Sequence, residues 1–412
     1  MRLHLLPCSV LLWGAAHLHP LALRAQTPAQ VPAQTPPSST DALSLKNIEA
    51  GAQALTKEVL QRRARAAKLM DEGKAQEAEK ELLDLIAICD KFLGPEHQYS
   101  LQVKKEYGHL LNGTKRPAEA RALLRNVLEA QTRTLGADSP DANATRGTLV
   151  LVMIAEGRMA EAEQAQRSLV AAWEKSVGSE HPSTIAALNN LGGVLLFLNK
   201  PGEAEAAFRI MQQKQAKTLG PQHPETLATR ANVVVATYQA KRYADAEREA
   251  REVLKLATSV LGAESTTGLQ VRTTLAKALR QLNRLPEAET ETRQVVQVQT
   301  AKYGISAPDT TETRQLLVAI LQEQGRHADA EKELRSLLKS AEASLKAGHP
   351  DLLVYQYQLV TSLRKQGKED EAKVLARSIL EGARRTFGAE HRQTRNYENL
   401  LKDLLHAPAP PK

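Results

Sequence analysis

Apolar residues recur along this chain in a pattern that returns every 42 residues, eight times, without insertion or deletion. Alanine stands at 78, 120, 162, 204, 246, 288, 330 and 372. Seven residues on, the position is always apolar: Leu85, Val127, Leu169, Met211, Val253, Val295, Leu337 and Ile379. Four residues on it is usually apolar (Leu82, Leu124, Phe208, Leu334), with Gln166 and Thr292 as exceptions. Spacing of i, i+4, i+7 is one stripe of an α-helix rather than the alternation of a strand. This helix, B, opens at an acidic residue just before the alanine (Glu77, Glu119, Glu161, Glu203, Asp245, Glu287, Asp329, Glu371), where negative charge suits the helix dipole. Three residues earlier stands a basic one: Lys74, Arg116, Arg158, Lys200, Arg242, Arg284, Arg326 or Lys368. Helix B stops near a glycine at 94, 136, 178, 220, 262, 304 and 388, which predicts a left-handed C′ residue; Lys346 fills the slot otherwise.

A turn follows, clearest as Gly178-Ser179-Glu180-His181-Pro182, with proline where a new helix loses nothing by lacking an N–H. Helix A then carries two apolar columns. One is Tyr107, Leu149, Leu191, Val233, Leu275, Leu317, Leu359 and Leu401. The other is Leu111, Met153, Leu195, Thr237, Leu279, Leu321, Leu363 and Leu405. Gly108, Gly192 and Ala276 fall between them, where helices can approach closely. A fixed period of this length predicts a solenoid in which each unit buries its apolar face against its neighbours. The fold class is therefore all-α, an α-solenoid of about eight helix–turn–helix repeats.

Leu188-Asn189-Asn190-Leu191-Gly192, Glu203-Ala204-Glu205 and Leu219-Gly220-Pro221-Gln222-His223-Pro224-Glu225-Thr226 carry a family resemblance. They resemble tetratricopeptide repeats of the kinesin-light-chain type, the 42-residue variant of a repeat that is usually 34 long. The resemblance covers roughly residues 55–406. It implies a right-handed superhelix, a concave groove lined mainly by helix A, and the binding of a peptide or protein. The heptad coiled coil that precedes the repeats of kinesin light chains is absent, so the resemblance does not extend to that role.

Outside the repeats, Arg2 and the apolar run Leu3 to Trp13 read as a signal peptide, residues 1–25, with cleavage before Gln26. Residues 26–54 read as a Pro/Gln/Thr-rich spacer and N-terminal cap, and 407–412 as a disordered tail. The protein is expected to be exported, to a bacterial periplasm or beyond, with no membrane span in the mature chain. Cys8 leaves with the signal and Cys89 remains alone, so no intramolecular disulfide is available. The formal charge of +8 falls to +6 once Arg2 and Arg24 are removed, too mild an excess to imply nucleic acid.

Two basic columns absorb much of that charge. In helix B, Arg125, Arg167, Arg209, Arg251, Arg293, Arg335 and Arg377 mostly follow a glutamate four residues earlier, the spacing of a helix-supporting pair. In helix A, Lys104, Arg146, Arg230, Arg272 and Arg314 share one position, with Arg62 in phase before them and Leu188 interrupting, and none of those five has an acid three or four residues away. Two readings stay open for this second column. Its members pair with acids of the neighbouring helix, or they rim the groove and attract an acidic ligand. Asn189, Asn190 and Asn232 lie beside it, where side-chain amides can hold a peptide backbone. The candidate ligand residues are thus Lys104, Arg146, Asn189, Asn190, Arg230, Asn232, Arg272 and Arg314.

Catalytic, cofactor-binding and metal residues are not expected. His97, His181, His223, His349 and His391 hold one repeated turn position, which suits a helix cap. No His/Cys/Asp/Glu set has metal-ligand spacing, and no phosphate loop, dinucleotide fingerprint or serine elbow occurs. The expected function is a non-enzymatic scaffold for a peptide or protein segment. The alternative is a binder of an anionic polymer, cell-wall glycan or nucleic acid, through the helix A column.

Overall fold

A computed structural model of the chain describes residues 39–343, 345 and 349–406, with side chains from residue 54 on except at 404 and 406. The expected signal segment, the Pro-rich part of the spacer, the Lys346 slot and the tail lie outside the described residues. Among the described residues there are seventeen α-helices and no strand. They fall into two compact units that divide between Thr218 and Leu219. The first holds α1 (Ser39–Asp71), α2 (Ala75–Phe92), α3 (Gln98–Gly113), α4 (Pro117–Leu135), α5 (Pro140–Ala155), α6 (Met159–Val177), α7 (Pro182–Phe197) and α8 (Pro201–Thr218). The second holds α9 (Pro224–Gln239), α10 (Tyr243–Leu261), α11 (Thr266–Gln281), α12 (Leu285–Tyr303), α13 (Pro308–Glu323), α14 (His327–Glu342), α15 (Pro350–Lys365), α16 (Glu369–Phe387) and α17 (Arg392–His406). Odd numbers are A helices and even numbers B helices, so each unit contains four pairs, and α17 follows the last.

The apolar columns are the core. All eight repeated alanines are fully buried at 0% exposure. Ala120 packs in one cluster with Leu111 of its own A helix and Leu149 and Val152 of the next; Ala288 does so with Leu275, Leu279, Leu316 and Ile320. The small residues of helix A match large ones of helix B. A Cβ on Gly108 would meet Leu124 at 2.7 Å, and one on Gly192 would strike the Phe208 ring. The two polar breaks in the helix B stripe are buried and satisfied: Gln166 Nε2 donates to the Ala187 carbonyl at 2.8 Å, and Thr292 Oγ1 to the Ala288 carbonyl at 2.7 Å. The second helix A column is buried through Leu363, but Met153 is only half-buried and Leu405, in the last helix, is 49% exposed.

Both turns are fixed by backbone demands. The B-to-A glycines have φ of +85° to +99°. At Gly136, Gly178, Gly262, Gly304 and Gly388 the ψ values of +154° to +163° place them in the mirror-extended region open essentially to glycine alone, not in the left-handed helical well that the sequence suggests. The next helix is capped as the recurring histidine implies. His97, His181, His223, His349 and His391 each accept, through Nδ1, the backbone N–H two residues on at 3.2–3.3 Å. Ser100, Thr184, Thr226 and Thr394 donate back to the glycine carbonyl at 2.7–2.9 Å. The A-to-B turn carries a second positive-φ residue that the sequence does not announce: Gly73, Lys115, Gly157, Asn199, Lys241, Asn283, Gly325 or Gly367. There the following basic residue donates its N–H five residues back, as Arg116 does to the Leu111 carbonyl at 2.9 Å, closing a Schellman-type cap.

That basic residue also joins one repeat to the next. Arg284 reaches Glu287 at 2.7 Å in its own helix B and Glu247 of the preceding one at 2.6 Å. Arg251 in turn binds Glu247 and Glu287, both at 2.9 Å, so four charges close a ring across two repeats. Lys200 with Glu163, Arg167 and Glu203 builds most of the same ring, as does Lys368 with Glu331, Arg335 and Glu371. The helical Glu–Arg pairs read from the sequence are present; their glutamate is in addition the hub between repeats. Where the hub is replaced by Arg121, Glu156 takes over and pairs with both Arg121 at 2.9 Å and Arg158 at 3.1 Å.

Glu331 shows what the hub costs and gains. Burial alone would raise its carboxyl, but hydrogen bonds from Lys368, Gln366 and Arg335 outweigh this and hold it at about 2. A carboxyl depressed in the folded state stabilises it above the unfolded value and loses that contribution as pH falls toward the folded one. Stability is therefore expected to drop between roughly pH 4.3 and pH 2. Urea titrations across that range should show a shallower drop for Glu331→Gln; equal acid dependence in both proteins would contradict the ring.

Candidate binding face

Within each unit, successive A helices draw together: α1 with α3, α3 with α5, α9 with α11 and α11 with α13. Successive B helices do so less, which puts the A helices on the inner side of each unit. The side chains that link A helices mark this inner face. In the first unit Arg63 donates to Glu106 at 2.9 and 2.5 Å and to Gln102 at 3.0 Å, and Gln98 lies 3.5 Å from Asp141. In the second, Gln270 donates to Asn232 at 3.2 Å, Lys277 binds Glu312 at 2.9 Å, Arg280 binds Glu323 at 2.5 Å, and Gln322 donates to Ser362 at 2.9 Å.

The candidate residues divide between this face and the seam behind it. Asn189 and Asn190 are half-buried on α7 in the first unit, and Asn232 is half-buried on α9 in the second. The basic column instead lies on the seam between helices A and B. Arg62 binds Glu81 at 2.7 Å, Arg272 binds Glu291 at 2.7 Å, and Arg314 binds Glu333 at 2.9 Å, each glutamate nineteen residues on in helix B of the same repeat. Arg230 reaches Glu252 at 3.4 Å, and Lys104 binds Asp90 at 2.8 Å. Arg314 is 4% exposed, which makes it a core residue rather than a rim one. Pairing with a neighbouring helix, one of the two readings left open by the sequence, is what these side chains do. Arg146 differs: its Nη1 donates to the Ala137 carbonyl and to Asn143 Oδ1, each at 2.6 Å.

Sequence reasoning passes over the charged groups that do face inward. Lys105 and His109 stand one turn apart on α3, beside Arg63 and Glu106. Burial pushes the Lys105 ammonium below its ordinary value, with Arg63 acting in the same sense against Asp141 and Glu106. Burial likewise lowers His109, and Lys105 adds to it. The signal was available in phase: Lys105 occupies the position of Arg63 and of Asn189, at intervals of 42 and 84 residues. Among the described residues no group of three or more His, Cys, Asp or Glu is placed to hold a metal ion. No helix among them is long and apolar enough to cross a membrane. Cys89 is fully buried, and burial raises its thiol.

Two family models, both described as tetratricopeptide repeat, match the chain: one over residues 141–209, the other over 108–141, 226–266, 310–351 and 352–393. A putative kinesin light chain from Podosopora anserina with nearly identical TPR-like repeats is 26% identical, over 49% of this chain and 96% of that one, with a TM-score of 0.45. A Rap protein complexed with competence and sporulation factor is 12% identical over 85% of this chain and 98% of that one, with a TM-score of 0.50. The apo quorum sensor NprR from B. thuringiensis is 12% identical over 85% and 99%, with a TM-score of 0.51. No curated protein matches the chain.

Proposed function

The chain belongs to the tetratricopeptide repeat family, and we propose that it is a non-enzymatic scaffold holding a protein or peptide segment on its inner, helix A face. One observation carries this reading. The positions that serve packing, capping and repeat-to-repeat pairing hold the same residue types from one copy to the next, whereas the position of Asn189 is Arg63, Lys105 and Gly147 elsewhere in the first unit and a buried Ala231, Thr273, Gln315 and Tyr357 in the second. Within each unit, a face that changes from repeat to repeat along an otherwise uniform stack is suited to reading a sequence of ligand groups. Amides at Asn189, Asn190 and Asn232 suit a peptide backbone, and Arg63 and Lys105 suit an acidic side chain. The arginines of the seam sit behind that face with their charge matched by helix B. This neutralisation speaks against the anionic-polymer alternative, which needs them free. The similarity to a Rap protein complexed with competence and sporulation factor supports the family-level reading, not a particular ligand.

The test is capture of a partner by the mature chain from envelope extract, followed by affinity measurements on variants. Replacing Asn189, Asn190 and Asn232 with alanine is expected to weaken binding by about tenfold or more, equivalent to about 1.4 kcal/mol, with the melting temperature nearly unchanged. Arg314→Gln should do the reverse, lowering the melting temperature, since it leaves the carboxylate of Glu333 without its buried partner. Unchanged binding in the asparagine variant would contradict the assignment. A steep loss of affinity with salt would favour a polyanion instead.

We propose further that residues 1–25 direct export and are removed. Intact mass of the protein from its native host should place the N-terminus near Gln26; recovery of cytosolic protein that begins at Met1 would refute export.

A further inference from the structure

Arg146 breaks the rule that its column otherwise obeys. Arg62, Arg272 and Arg314 each hold a glutamate nineteen residues on, Arg230 holds Glu252 twenty-two residues on, and Lys104 holds Asp90. The corresponding places on α6 are Ala165 and Ser168, which carry no charge. Among the described residues Arg146 pairs with no carboxylate; its hydrogen bonds go to a carbonyl and an amide. Where the glutamate side chain is missing, α4, α5 and α6 leave a cleft of about 420 Å³. It is lined by Leu128, Leu149, Met153 and Leu169 together with Arg146 and Ala165. The one carboxylate lining it, Asp138, is held by Lys175 Nζ at 2.5 Å. The charge of Arg146 also acts on Asp138, but its own hydrogen bonds go to no carboxylate. The cleft is thus apolar with an arginine at its edge, and its volume falls within the range of small-ligand pockets, about 300–1,000 Å³.

We infer that this cleft binds a small monocarboxylic acid with an apolar chain. The carboxylate takes the seat that Glu291 and Glu333 occupy beside the equivalent arginines, and the chain lies along the leucine and methionine wall. Bidentate or charge-assisted hydrogen bonding from a guanidinium in a partly dry cleft favours a carboxylate over a neutral head group. The site lies where α4 meets the seam of α5 and α6, apart from the asparagines of the scaffold reading, so it stands or falls independently of that reading.

Octanoate is a suitable probe, titrated calorimetrically into the full chain. Saturable binding at one site is expected, weakened about tenfold or more by Arg146→Gln, and about as much when octanol replaces octanoate. Ala165→Glu supplies the internal carboxylate found in the other repeats. It should abolish octanoate binding while raising the melting temperature, which shows that the fold is intact when the site is lost. The inference is overturned if octanoate shows no saturable binding, if Arg146→Gln binds it as tightly as the unaltered chain, or if Ala165→Glu leaves binding unchanged.

Discussion

Where helix B meets its own helix A and the helix A of the next repeat, a methyl group fills the space. The eight alanines at this place are fully buried, and Ala120 and Ala288 cluster with apolar residues of both A helices. A two-helix unit therefore cannot finish its core alone; the last apolar surface of one repeat is covered by the first helix of the next. Any insertion would carry the alanine off the crossing and expose the leucines around it. The unbroken 42-residue period is the sequence-level mark of that constraint.

Charge is arranged around the same joint. Once the crossing sets the distance between consecutive B helices, the acid at the start of one, the arginine and hub glutamate of the one before and the basic residue of the turn come within ion-pair reach. Single surface pairs contribute only about 0–1 kcal/mol each, so their value lies in the shared ring and in the register it enforces. Behind the inner face, the helix A arginines are matched by helix B glutamates in the same way. The inner face has matched pairs of its own, such as Arg63–Glu106 and Arg280–Glu323, whereas Lys105 there and Arg146 at the cleft make no such pair among the described residues.

Whatever repeats in the sequence was legible in it. The helix columns, the histidine caps, the close approach at Gly108 and Gly192 and the helical Glu–Arg pairs all follow from local spacing, and the described structure has each of them. Three features were hidden for physical reasons. The positive-φ turn between A and B is shared by Gly, Lys and Asn, so no single residue type announces it. The hub role of Glu247 or Glu331 depends on a partner some 37 residues away, which helical spacing does not reveal. The inner face was hardest to see, because its residues change from repeat to repeat and attention goes to columns that do not. Arg230, Arg272 and Arg314 stand in one such column, and the carboxylates that occupy them lie on another helix.

Stability is passed between neighbouring repeats through the alanine crossing. Native-state hydrogen exchange on Ala288→Leu tests it most directly. Overpacking at this site should cost about 1–3 kcal/mol. Amide protection should then fall in α11, α12 and α13, which share the crossing, while α15 and α16 keep theirs. Protection left unchanged throughout would show that the alanine does not set the crossing, and an equal loss in every helix of the unit would show that stability is not passed from neighbour to neighbour.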